Sequence, residues 1–336
     1  MNLNKIRWTL SGTSAAIALA FILPISIPSG CKLRPAQDMR GQNPQKTKDP
    51  EEPIPNILPP ETTNSADQQT SIHKVAPPCM RSVLGTTNSD DLNEISGIDV
   101  SANNNDLLYA HNDSGDAPRI YTLNLQAQLQ QTIPITNATA VDWEDLSIGP
   151  CGNESCLFIA DFGNNNGDRT TFQLYRIPET DLATPPVTAT TINFRYPDGG
   201  AYNAEFLAVS PKDGSIYVVR KTRDAANTLY RFPKDLTGTV NLIEVCTFSD
   251  IGNEQVTGGD IHDSGEKIMI RTYDFIYEYH SIDLADGKVC NTQIRKMAHA
   301  EPQGEALAYL NKSHSFYTIS EETEQPLFLF RCELPE

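Results

Sequence analysis

The chain has 336 residues, 39% of them apolar, and a formal net charge of −17. That length suits one large domain with a leader. The charge argues against nucleic acid or an anionic membrane surface as partner and fits cations, cationic ligands or basic proteins.

Residues 1–30 carry Lys5 and Arg7 near the start, then an apolar run from Ala15 to Ile27 broken by Pro24. The run is too short and too broken to span a bilayer and reads as a secretory signal peptide. Its loss removes two cations and no anion, so the exported chain is more acidic still. Ser29-Gly30-Cys31 resembles the lipobox of bacterial lipoproteins, with Pro28 standing where that pattern has a branched aliphatic residue. The resemblance implies a lipidated Cys31 as the sole membrane contact. Lys32 after it implies the outer membrane, and a secreted or periplasmic chain is the alternative. Residues 31–75 then hold seven prolines and no aromatic residue. Such a segment has too little apolar surface to bury and reads as a disordered tether.

Residues 76–336 repeat one pattern. A polar or acidic residue opens a short apolar run, a turn follows, and two further strand-like runs complete the unit. The matched apolar positions are Ile98, Leu146, Leu207, Ile261 and Leu307, between 46 and 61 residues apart. Constant internal order with variable spacing is what loops of different length on a repeated scaffold produce. The third runs carry Tyr121, Tyr175, Tyr230, Tyr277 and Phe328, which packing between units accounts for. A weaker fourth run follows in four units, within Gln131–Ile135, Thr190–Phe194, Leu242–Phe248 and Thr292–Lys296. Four strands in about 40–60 residues is the grammar of a β-propeller blade. The expectation is an all-β fold: a single β-propeller of five four-stranded blades, with six as the alternative count. An extended run at Met80–Thr86 precedes the first unit and is expected to complete the last blade.

Beyond Cys31 there are six cysteines, an even number that suggests disulfides in an exported chain. Ring closure by the first strand implies Cys79–Cys332. The turn Gly152–Ser155 implies Cys151–Cys156, and elimination leaves Cys246–Cys290.

The first strand of each blade lines the channel, and the loops between second and third strands open on the same rim. That rim collects Asp113, Asp116, Glu144, Asp145, Asp161, Asp168, Glu205, Asp260 and Glu305 as candidate metal ligands. Converging carboxylates repel one another and require raised pKa values or a counter-charge. A hard cation such as Ca²⁺, which takes about six to eight oxygens, is one candidate. Arg119, Arg169, Arg220, Lys221 and Arg271 are the other. As catalytic candidates the pattern offers Glu144, Glu305, Arg220, Lys221, Arg271 and His111. Sequence motifs for a serine nucleophile elbow, a zinc protease helix or a P-loop are absent.

The strings EISGIDVS, AHNDSGD, DWEDLSIG, YRIP, YPDGGAYNAE, VTGGD, RTY and EPQGEALAY resemble a group of exported bacterial propeller proteins of undefined function. More loosely, the blade openings at Glu205 and Glu305 are similar to those of calcium-dependent phytase-like, esterase-like and gluconolactonase-like propellers. That likeness implies Glu144, Glu205, Asp260 and Glu305 in a metal role and Arg220, Lys221 and Arg271 in an anion role. Two functions stay open. One is a lipid-anchored, monomeric module that binds a small-molecule or protein ligand on an acidic axial face. The other is a Ca²⁺-dependent hydrolase of phosphoesters or lactones that uses metal-activated water.

Overall fold

A computed structural model describes residues 79–333, apart from 224, 282 and 283. The expected signal peptide and tether, and Cys31, lie outside the described residues. Five antiparallel sheets stand around one axis. Each starts with an innermost strand, and these run side by side in a closed circuit. Blade 1 takes Ile95–Val100, Leu107–Asn112, Arg119–Asn124 and Leu129–Thr136. Blade 2 takes Trp143–Pro150, Ser155–Asp161, Phe172–Pro178 and Thr190–Arg195. Blade 3 takes Asn203–Val209, Ile216–Lys221, Asn227–Arg231 and Ile243–Phe248. Blade 4 takes Val256–Ile261, Lys267–Thr272, Phe275–His280 and Gln293–Ala298. Blade 5 takes Gly304–Tyr309, Phe316–Ser320 and Pro326–Arg331, and its outer strand is Met80–Thr86. The count is five, and the first strand in sequence closes the last blade.

Two neighbours are also stitched together by short parallel pairings. Val187–Thr188, from the blade 2 segment, pairs with the outer strand of blade 1. Thr239–Asn241, from the blade 3 segment, pairs with the outer strand of blade 2. Neither pairing has a strong period-two signal, because each strand is only two or three residues long.

Apolar side chains of adjacent blades interlock in five clusters, one at each seam. Burial decides the strand chemistry. Innermost strands such as Ile95–Val100 and Gly304–Tyr309 are buried along their whole length, whereas Leu129–Thr136 alternates toward solvent. Of the third-strand aromatics, Tyr121, Tyr175, Tyr230 and Tyr277 are buried in these seams, and Phe328 is half-buried. All three expected disulfides are present, with Cα–Cα separations of 4.2 Å for Cys79–Cys332, 5.8 Å for Cys151–Cys156 and 6.1 Å for Cys246–Cys290.

One irregularity recurs in every blade. The pairing of the innermost strand with the second strand shifts register around Ser96, Glu144, Glu205, Thr257 and Glu305. A bulge leaves its extra residue unpaired and re-aims the side chain. Five bulges at one level therefore ring the axis with Ser, Glu, Glu, Thr and Glu.

Candidate functional site: an acidic axial mouth

The two hydroxyl members of that ring are spent on structure. Ser96 Oγ donates to the carbonyl of Glu144 at 2.5 Å, and Thr257 Oγ1 to the carbonyl of Gly304 at 2.8 Å. Each ties its blade to the next one. The three glutamates, all buried, supply the charge.

Asp113, from the loop after the second strand of blade 1, joins Asp142 and Glu144 at the opening of blade 2. Each offers one carboxylate oxygen, and these oxygens lie within 4.8 Å of one another. Gly163 makes room for the group. A Cβ there would overlap Glu144 Oε1 and the Asp142 carboxyl. Glu144 is only 3% exposed, and its Oε1 has no hydrogen-bond partner. Burial first, then Glu205, Asp113 and Asp142, push its carboxyl well above the usual range. Asp113 is raised to about 7, by burial and then by the charges of Asp142, Glu205 and Glu94. Asp142 is raised too, chiefly by burial.

Across the mouth, Glu205 and Lys221 of blade 3 form a buried ion pair. Lys221 Nζ also donates to the Tyr273 hydroxyl of blade 4 at 3.0 Å. Burial alone would lower the Lys221 pKa, but Glu205 and Glu305 outweigh it and leave the ammonium firmly charged. Glu305 is 3% exposed, and its Oε2 has no partner. Burial and the Glu205 charge hold its carboxyl well above the ordinary range. Glu321 completes the rim, raised to about 7 by burial and by Asp113, Glu205 and Glu94. Among the described residues, Asp113, Asp142, Glu144 and Glu305 have no ion-pair partner.

These donors suit a hard cation. They are carboxylate oxygens, and two of them, Glu144 Oε1 and Glu305 Oε2, are buried without a hydrogen bond. Asp113, Asp142 and Glu144 are the residues that would hold Ca²⁺, with Glu205 and Glu305 facing them across the mouth.

The other sequence candidates are drawn elsewhere. Asp145 lies next to the bulge, but its Oδ1 accepts the N–H of Leu146 at 2.9 Å and its Oδ2 that of Leu207 in blade 3 at 2.8 Å. Asp260 does the same between blades 4 and 5, accepting from Ile261 at 2.6 Å and Tyr309 at 2.8 Å. Asp99 repeats this clip from blade 1 to Ile148 of blade 2 at 2.5 Å. These carboxylates lock blades together. Asp116 accepts from Arg119 and Tyr121, and their hydrogen bonds hold its pKa low against the effect of burial. Asp161 pairs with Arg169 at 2.7 Å, and Asp168 is exposed on the loop beyond.

Two of the basic candidates also leave the mouth. Arg220 and Lys221 are adjacent on one strand, so they point to opposite faces. Lys221 meets blade 4, while Arg220 stacks over Tyr202, 3.8 Å from its ring centroid. Arg271 is fully buried, bonded to Glu301 at 2.9 Å and to the Ala306 carbonyl at 2.8 Å. His111 is sealed in the seam between blades 1 and 2, edge-on to Trp143 at 5.6 Å, and burial lowers its pKa to about 4. It is a neutral packing residue. Asp142, Gly163, Tyr273 and Glu321 belong to the mouth but were not among the candidates. Their signal was position alone, at the blade openings and in the loops of the same rim.

No protein-family profile and no curated protein matches the chain. Among solved structures it is similar to the β-propeller domain of Myceliophteria thermophila Cps50 (Swd1). The identity there is 9% and the TM-score 0.41, covering 74% of this chain and 99% of that one. By its own five sheets, closed in a ring, the chain is a five-bladed β-propeller.

Proposed function

We propose that this protein is an exported binding module whose axial mouth holds a divalent cation, and through it a ligand, in the Asp113–Asp142–Glu144 cradle. The observation that carries the reading is the pair of buried, unpartnered carboxylate oxygens, Glu144 Oε1 and Glu305 Oε2, in a mouth with far more acids than cations. A buried charge without a partner is costly, and a bound cation removes that cost. Ca²⁺ is the candidate because every donor is a hard oxygen. The leader and the three cysteine pairs support export, and Cys31 with its tether supports a lipid anchor at the cell envelope. The mouth offers the ligand both a cation and Lys221 with Tyr273, so oxyanionic ligands fit it, whether small molecules or acidic groups on a protein.

A calcium-dependent hydrolase is the second reading, and one observation favours it. Asp113 within the cradle and Glu321 on its rim are both raised to about 7, in the mouth that also holds Lys221 and Tyr273. Groups that change protonation near neutrality beside a cation can serve as acid or base. The test is melting with and without CaCl₂, on wild type and Glu144→Gln. The reading expects a calcium-dependent rise in Tm that Glu144→Gln loses. Equal Tm values with and without calcium in the wild type would sink it. Turnover of phosphoester and lactone substrates then separates module from enzyme.

A further inference from the structure

A second buried carboxylate is poorly partnered on the opposite side of the ring, and the axial reading does not use it. Glu179 opens the short 3-10 segment Glu179–Ala183 that follows the third strand of blade 2. It is 4% exposed. Both of its donors reach the same oxygen: Ser101 Oγ at 2.5 Å and the Tyr109 hydroxyl at 3.4 Å, each onto Oε1. Oε2 has no hydrogen-bond partner, and no lysine, arginine or histidine among the described residues pairs with Glu179.

Glu179 lines a cleft of about 600 Å³ between blades 1 and 2, on the rim of the loop that follows Val100. That volume is in the range of small-ligand sites. No basic residue lines it, so it does not suit an anion. Leu107, Ile133 and Leu182 give it an apolar floor, and Asn103, Gln130 and Gln131 are exposed amides at its edge. The cleft thus combines a buried carboxylate with one unpartnered oxygen, an apolar wall and a rim of amides.

We infer that this cleft is a ligand site for a protonated primary amine carried on a hydroxylated ring, as in an amino sugar. The ammonium would enter at the Glu179 carboxyl, which lines the cleft, and supply the donor that its sealed Oε2 lacks. Ring hydroxyls would meet the rim amides, and the C–H face of the ring would cover the apolar floor. A charged hydrogen bond to a buried carboxylate is the strongest kind such a site can make, and the acidic chain attracts cations from a distance.

The test is saturation-transfer NMR and calorimetry on the exported protein with glucosamine, N-acetylglucosamine and glucose, at a pH where the free amine is protonated. Glucosamine should bind saturably, and the other two sugars at least about tenfold more weakly. Glu179→Gln should lose about tenfold or more, and Gln131→Ala a few-fold with Glu179 intact. Should Glu179→Gln fail to fold, amide shifts in the wild type decide, and they must centre on residues 101–109 and 179–183. Absence of glucosamine binding, equal binding of all three sugars, unchanged affinity in folded Glu179→Gln, or shifts centred elsewhere would each overturn the assignment.

Discussion

Glu144 Oε1 occupies the space that a Cβ on Gly163 would need. The glutamate comes from the bulge at the opening of blade 2 and the glycine from the loop after the next strand of the same blade, so their contact fixes the floor of the acidic cradle. Gly163→Ala must displace Glu144, Asp142 or the loop itself. The expected outcome is a loss of calcium affinity of about tenfold or more, with a smaller effect on folding. Calorimetry on the purified variant checks it, and full retention of affinity would show that the cradle geometry is irrelevant.

Stability should fall as pH rises toward neutrality when calcium is withheld. Asp113 and Glu321 are raised to about 7 in the folded protein, well above the usual carboxylate range. Between the unfolded and folded values the native state binds more protons than the unfolded one, so raising pH through that window weakens it. Melting in EDTA should therefore give a higher Tm near pH 5 than near pH 8, and saturating calcium should narrow the difference. A Tm in EDTA that climbs from pH 5 to pH 8 would contradict the assignment.

Lys221 is the buried counter-charge for Glu205 and also reaches Tyr273. Lys221→Met strands a buried carboxylate and should cost about 3–5 kcal/mol in urea unfolding. Adding Glu205→Gln should restore a large part of that loss, because the pair is coupled. Strict additivity of the two substitutions would argue that the ion pair does not hold the mouth together.

Asp145 tests the separation of structural from functional acids. Asp145→Ala leaves the buried N–H groups of Leu146 and Leu207 without their acceptor. Each stranded donor costs about 1–3 kcal/mol. The variant should lose stability yet keep its calcium affinity, whereas Glu144→Gln should lose affinity. Urea melts paired with calcium titrations distinguish the two, and an equal loss of affinity in both would merge the two roles.

The Cys79–Cys332 bond joins residues 253 apart and fastens the strand that closes the ring. Replacing both cysteines by serine should cost about 5 kcal/mol by chain entropy alone. Cys151–Cys156 closes a turn with a separation of 5 and should matter far less. Differential melting of the two double variants measures the contrast.

Much of the fold was legible because the blade openings repeat. Ile98, Leu146, Leu207, Ile261 and Leu307 mark the five innermost strands, and closure of the ring brings Cys79 to Cys332. The site was legible only as a rim. Glu144, Glu205 and Glu305 stand out because they occupy the same bulge position. Asp145 and Asp260 look equivalent in sequence, but one or three residues further along the strand the side chain meets the next blade's backbone amides. Arg220 and Lys221 differ only by the alternation of a strand, which sends one to Tyr202 and the other to Glu205. Asp142 and Gly163 carried no signal beyond their place in the loops, since their role arises from a contact between a strand opening and a distant turn.

The most direct test of the central claim is a calcium titration by isothermal calorimetry on the metal-free protein, run beside Asp142→Asn with Glu144→Gln. The account predicts saturable binding by the wild type and a loss of at least about tenfold in the double variant, with the variant still folded. Absence of calcium binding in the folded wild type, or identical isotherms for the two proteins, would contradict it.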